Sequence, residues 1–384
     1  MTYNFDGLSK SMNLIMSDSY NSSTLRKECK LYDIYPNAYV ARVTKVHGGV
    51  YESEDYRPVP ITSISGYNPP AFPLSLSKSC LCSNNKVIFI GSLNNCWGND
   101  MSDLFSHLWF VITPECKKLR QEGWTFVCIS QYSRQEEPRY LREILKAVGI
   151  DEKELYWVDG DNPTNFAEVL VPEACFRNED GESWFTKRYP LFCQEFVKLF
   201  PKVQPIEKVY FTRTKFLSGS SGMGEAHLEH LFRKQGYTII SPETYSVAEQ
   251  VSLLSQCTYF AATEGSISHN AVFCRPGTHV IVLKKADYLN GYQRIIDESA
   301  ELDVTYLTAH HSSKINREFP WYGPFYLCIT PQLAKYFGIR FYCPYWLMPS
   351  YWWYCLEYTP SWFQRQIMNR QVIKKIRGWI IKTC

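Results

Sequence analysis

The chain has almost no excess of charge. Its 384 residues hold 41 Lys and Arg against 38 Asp and Glu, a net +3, which is not the strongly basic footprint of a nucleic-acid binder. It has no Cys-x-x-Cys pair, so its fourteen scattered cysteines give neither a metal-like pattern nor an evenly spaced disulfide framework. Cys128, Cys193 and Cys257 lie inside apolar segments, where cysteine behaves as a small hydrophobe. Reduced thiols in the cytosol are the expectation. The first thirty residues lack an apolar run and are rich in Ser, Asn and charge. They predict a polar, poorly ordered lead over 1–30, neither signal peptide nor membrane span. The active part is therefore expected in the cytoplasm. No internal repeat appears. What the chain has in quantity is aromatic residues, 16%, many of them in the last sixty positions.

The length accommodates two α/β domains with full cores, and the apolar pattern fits that division. From Lys86 onward, Val87-Ile-Phe-Ile90, Trp124-Thr-Phe-Val-Cys-Ile129, Leu155-Tyr-Trp-Val158 and Ala167-Glu-Val-Leu-Val171 read as buried strands. A helix from Ser102 to Leu119, another from Pro138 and a third from Tyr189 to Phe200 separate or follow them. Residues 38–51 read as a β-hairpin. The pattern predicts one Rossmann-like domain over 31–200, a Pro-flanked linker at 201–205, a second over 206–311, and an aromatic, Pro-bearing extension over 312–384. The fold class is α/β, with two facing domains built on parallel sheets and a cleft between them.

The second series carries the densest signals. Lys208-Val-Tyr-Phe-Thr-Arg213 is a short apolar strand ending in an arginine. Leu217-Ser-Gly-Ser-Ser-Gly-Met-Gly224 then opens a helix at Glu225, and Tyr259-Phe-Ala-Ala-Thr-Glu264 is a second buried strand that Gly265-Ser-Ile-Ser-His-Asn270 turns into a helix. Ligands of parallel sheets sit beyond the carboxyl ends of the strands. Free N–H groups at a helix start beside an arginine suit a diphosphate. The loop is neither a dinucleotide fingerprint nor a Walker A motif, since no lysine follows Gly224 and no acid closes the next strand. His269 and Asn270 fall in the first turn of the following helix, where they can reach a ligand or pack in the core.

Other clusters admit two readings each. Asp159-Gly160-Asp161 has the Asp-x-Asp form that holds a divalent metal against a diphosphate, and is also a common turn. His227 and His230 share a helix face but lack a third ligand. The segment Asn94–Asp103 puts polar groups at the carboxyl end of the first strand of its sheet. There Asp103 or Asp100 is the candidate general base for inverting group transfer, or a first-turn acid stabilised by the helix dipole.

At these residues the chain resembles glycosyltransferase family 61. The resemblance rests on Tyr210-Phe-Thr-Arg213, Gly224-Glu225, Gly236-Tyr237, Ser246-Val-Ala-Glu-Gln250, Glu264-Gly-Ser-Ile-Ser-His-Asn270, Ala271-Val-Phe273 and Pro276-Gly277, over roughly eighty residues. It continues more loosely at Asn95–Asp103, where Gly98-Asn-Asp100 stands in place of the Gly-His-Phe common in the family. Glu264 stands where many members have His. The resemblance implies a GT-B architecture and metal-independent, inverting transfer from a nucleotide sugar, with no cofactor and no nucleic-acid partner. It implies a glycan or lipid-linked glycan acceptor, as in the capsule or surface polysaccharide assembly of bacterial members. By residue, it implies nucleotide-sugar contacts at Arg213, Gly224, Glu225, Glu264, Gly265, Ser266, His269 and Asn270. The Gly265 and Ser266 amides would help neutralise the diphosphate, and Glu249 and Gln250 would orient the loop. A sugar-binding scaffold without a base, and a metal-dependent transferase using Asp159 and Asp161, are the alternatives.

The tail has its own pattern. Trp346, Trp352, Trp353 and Trp362 precede a predicted helix from Gln364 to Lys382. Met368, Val372, Ile373, Ile376, Trp379 and Ile380 fall on one face, Arg370, Lys374, Lys375, Arg377 and Lys382 on the other, and no acid follows Glu357. Such a helix either lies on an anionic membrane surface, at the inner face of the cell membrane, or packs back on the amino-terminal domain.

Overall fold

A computed structural model describes residues 25–27, 30–44, 48–62, 80–93, 96–130, 132–134, 137–179, 182–216, 223–287, 289–311, 325–340 and 342–356, the side chains of 99, 102, 178, 179, 182 and 183 excepted. The predicted tail helix, most of the polar lead and the 217–222 part of the Gly-rich loop lie outside the described residues.

The first sheet contains β1 (Tyr32–Pro36), β2 (Tyr39–Ala41), β3 (Gly49–Tyr51), β4 (Leu81–Leu93), β5 (Thr125–Ser130), β6 (Leu155–Val158) and β7 (Thr164–Pro172). Their order is β3-β2-β7-β4-β5-β6, with β1 also paired to β7. The strands β7, β4, β5 and β6 run parallel, whereas β1, β2 and β3 are antiparallel. The expected fourth strand, β7, thus lies beside β4 in the middle of the sheet. The parallel strands are the apolar runs of the sequence, because helices cover them and side chains on both faces need burial.

The helix expected over Ser102–Leu119 is broken. It forms α1 (Trp97–Asp103), α2 (Phe105–Leu108), a 3-10 turn at Trp109–Ile112 and α3 (Pro114–Gln121). Pro114 causes the last break: without an N–H it cannot continue the preceding helix, but it fits the first turn of a new one, and the Thr113 side chain caps that turn by accepting from the Cys116 amide. The helix α4 (Arg139–Ala147), the hairpin β8 (Phe176–Glu179) with β9 (Glu182–Phe185), and α5 (Arg188–Lys198) complete this half. Residues 201–205 are irregular and tied down by Val203, whose amide donates to Ser252 Oγ at 2.8 Å.

The second sheet is wholly parallel: β10 (Lys208–Phe211), β11 (Thr238–Ile240), β12 (Tyr259–Thr263), β13 (His279–Lys284) and β14 (Asp303–Thr308), in the order β11-β10-β12-β13-β14. Its helices are α6 (Glu225–Lys234), α7 (Val247–Gln256), α8 (Gly291–Ser299) and α9 (Pro331–Tyr336). The strand order reverses between β10 and β12, which makes their carboxyl ends the topological switch point where such sheets bind ligands. One hydrophobic cluster runs through both halves. Phe273 joins them, its ring 6.3 Å from that of Phe105 and 5.9 Å from that of Phe196. At the end of the described chain Trp346, Trp352, Trp353 and Leu356 are exposed. No helix among the described residues is long and apolar enough to cross a membrane.

Candidate functional site

Three chain ends meet at the switch point. The first is the exit of β10. Thr212 donates through its hydroxyl to Glu229 Oε1 at 2.7 Å, and its Oγ1 accepts from the Thr214 amide at 3.2 Å, so the turn that presents Arg213 is fastened to α6. The Arg213 guanidinium lies 5.0 Å over the Phe216 ring and makes no ion pair among the described residues. The second is the start of α6. Gly224 is its N-cap, in the left-handed region at φ 94°, and supplies no side-chain acceptor. The first amides of α6 are therefore left to solvent or to a ligand, and the helix dipole favours an anion there.

A strap crosses over this point. The Met223 amide donates to the Phe325 carbonyl at 3.0 Å and the Leu327 amide to the Met223 carbonyl at 2.8 Å. A Cβ on Gly224 would sit 2.1 Å from the Leu327 carbonyl oxygen. Only glycine satisfies both the backbone angle and that contact.

The third is the turn after β12. Glu264 is buried and its Oε1 accepts from the Asn290 amide at 2.7 Å. Gly265 adopts φ 117°. Its amide donates to Ser268 Oγ at 3.1 Å, which removes one of the two amides expected to face a diphosphate. The Ser266 amide has no partner among the described hydrogen bonds. The helix expected after the turn is a 3-10 segment, Ser268–Phe273. In it His269 is buried with neither ring nitrogen hydrogen-bonded. Burial first, then the Lys285 charge, lowers its pKa to about 3, so its imidazole stays neutral. Asn270 closes the turn by donating to the Ile267 carbonyl at 2.9 Å.

Burial shifts both carboxylates here upwards. Glu225, in the first turn of α6, accepts from the Tyr210 hydroxyl at 3.2 Å and the Arg213 amide at 3.3 Å. Burial nonetheless pushes its pKa up to about 7. Burial also raises Glu264, against the opposing Asn290 amide.

One site residue escapes local sequence reading. Lys285 follows β13, and its Nζ lies 3.0 Å from where a Cβ on Gly265 would stand. The signal was available: Lys285 ends the strand paired with β12, by the same rule that singled out Arg213 at the end of β10.

From the other half, α1 carries Gly98, Asp100 and Asp103. Gly98 sits against the turn, where a Cβ would be 2.7 Å from Ser266 Oγ and 2.8 Å from His269 Nδ1. Asp100 is fully buried and accepts from the Tyr140 hydroxyl at 2.5 Å. Asp103 is buried too, with 6% exposed.

Four sequence candidates lie elsewhere. Glu249 caps its own helix, with Oε2 accepting from the Ser246 amide at 2.8 Å. Gln250 donates to the Pro242 and Tyr245 carbonyls, so it orders the turn before α7 rather than the one after β12. Asp159 Oδ2 accepts from the Arg134 amide at 2.7 Å, and Asp161 pairs with Arg42 at 2.7 Å. Each carboxylate is thus engaged by a residue distant in sequence. Among the described residues no group of three or more His, Cys, Asp and Glu is placed to hold a metal. A cavity of about 560 Å³ lies at the amino-terminal edge of β12 and β13, lined in part by Lys198, Lys202, Gln256 and Arg275. It is remote from the three chain ends.

No curated protein matches this chain. A family model described as Glycosyltransferase 61 matches residues 97–281, from the first residue of α1 into β13. That span holds Gly98, Asp100, Asp103, Arg213, Gly224 and the whole turn after β12. Over residues 97–281, the chain is similar to glycosyltransferase family 61.

Proposed function

We propose that the chain is an inverting glycosyltransferase of GT-B architecture, with domains over 31–200 and 206–311. In this reading it moves a sugar from a nucleotide donor to a glycan or lipid-linked glycan acceptor in surface polysaccharide assembly. The observation that carries the reading is Arg213 without an ion pair among the described residues, beside the uncapped start of α6 at the switch point. An unpaired guanidinium with free helix amides calls for an anion. The diphosphate of a nucleotide sugar has that charge.

In the transfer, the bond from the sugar's anomeric carbon to the diphosphate breaks as the acceptor oxygen bonds from the opposite face. The electron pair goes to the diphosphate oxygen, where Arg213 and the amides of α6 and Ser266 stabilise the developing charge. Preorganised groups of this kind usually supply the largest share of the rate. The acceptor's proton passes to Asp103. Asp100, fully buried and holding the Tyr140 hydroxyl, is the second candidate.

Asp103→Asn is expected to lower kcat by about 10²- to 10⁴-fold with nucleoside diphosphate affinity unchanged in isothermal titration. Near-normal turnover in that variant moves the base elsewhere. Activity with nucleotide sugars is expected to survive EDTA. Loss in EDTA with recovery on Mn²⁺ sinks the metal-independent mechanism.

A further inference from the structure

We propose that Lys285 is the second cation of the donor site, closing with Arg213 on the diphosphate and setting how tightly it is held. The inference rests on the nucleotide-sugar reading above, and it concerns a residue beyond the matched span of 97–281.

Position comes first. β12 and β13 pair with Thr263 opposite Leu283, so two residues further on Lys285 stands beside Gly265. Its Nζ lies 3.0 Å from where a Cβ on Gly265 would stand. Phe325, on the strap that crosses Gly224, stacks under the ammonium at 4.7 Å. The side chain is thus led to the turn by the strand register and held there by an aromatic face.

Charge supplies the second argument. Lys285 makes no ion pair among the described residues, and the groups whose charge bears on it are Arg213, Glu264, Glu225 and, on its other side, His269. The histidine is neutral. Glu225 and Glu264 are both shifted towards their protonated forms by burial, and their oxygens hold the Arg213 and Asn290 amides. Both draw Lys285 towards its charged form, but burial and Arg213 outweigh them. Two cations in one partly buried place then repel each other, and Lys285 responds. Burial first, and Arg213 second, bring its pKa down to about 8. A polyanion between them relieves the repulsion and restores the proton. A lysine whose task were to anchor the turn would sit against a committed carboxylate instead.

The expected behaviour follows from the sign of the shift. Below pH 8 the ammonium is charged and assists binding. Above it the proton is lost in the free protein, so a diphosphate must bind to fewer charges or take up a proton.

The experiment titrates UDP, GDP and CDP, with their nucleosides, into wild type, K285M and K285R by calorimetry between pH 7 and 9.5. K285M is expected to bind the preferred diphosphate about 10- to 150-fold more weakly at pH 7, the span of a charge-assisted contact, with the nucleoside unaffected. Wild type should lose affinity and take up a proton on binding as pH rises through 8. K285R, always charged, should show neither change. K285M binding the diphosphate as tightly as wild type overturns the proposal, as does a pH profile that K285R shares with wild type. Should K285M not fold, the K285R comparison still decides. Wild type that binds none of the three diphosphates overturns this inference and the donor reading beneath it together.

Discussion

Arg213→Ala is expected to abolish turnover and to weaken nucleoside diphosphate binding by about 10- to 150-fold, the range of 1.5–3 kcal/mol for a hydrogen bond to a charged group. The effect on turnover should exceed that on binding, because charge on the diphosphate grows as the sugar bond breaks. The arginine's backbone amide holds Glu225 whatever side chain stands there, so the fold should persist. Removing the guanidinium also removes a repulsion from Lys285, and its pKa should rise. Calorimetry on the folded variant checks this, and unchanged affinity for every nucleoside diphosphate refutes the assignment.

Gly224→Ala is expected to do the greatest harm to the fold. The residue sits at φ 94°, where a side chain costs about 1–2 kcal/mol. The added methyl would then lie 2.1 Å from the Leu327 carbonyl oxygen. That oxygen is backbone, in a strap whose neighbouring amides are bonded to Met223 and Ala309, so it cannot swing aside as a side chain would. Overpacking of this kind adds about 1–3 kcal/mol. A drop of about 5 °C or more in the melting midpoint is the expected reading, with weaker diphosphate binding because the start of α6 must shift. An unchanged midpoint would mean that the strap is not held where the structure puts it.

The geometry at the carboxyl ends of β10 and β12 was legible where it is local. Apolar runs ending in Arg213 and Glu264 announce parallel strands, and small residues after them announce close turns. The rest depends on pairing between distant segments. Nothing near Thr164 says that β7 inserts beside β4, because register belongs to two strands at once. Lys285 is legible as the residue that follows an apolar strand, but its seat beside Gly265 is not, because the β12–β13 pairing sets it. The commitment of Asp100 to Tyr140 likewise needs α4 to be placed against α1. Pro114 is a different case. It was visible in the sequence, and its breaking effect lost out to the amphipathic pattern around it. Glu249 shows a converse limit: an acid three residues after Ser246 satisfies a helix cap as readily as a ligand, and here it caps.

The contact of Gly98 with Ser266 and His269 has an evolutionary consequence. A helix from one half touches the turn after β12 in the other with no room for a single methyl. The two halves are then not free to drift independently, since any enlargement at position 98 must be matched by a smaller neighbour at 266 or 269. Homologous sequences should show those positions changing together, and a chimaera that joins halves from relatives mismatched there should fail at the seam even when each half is sound.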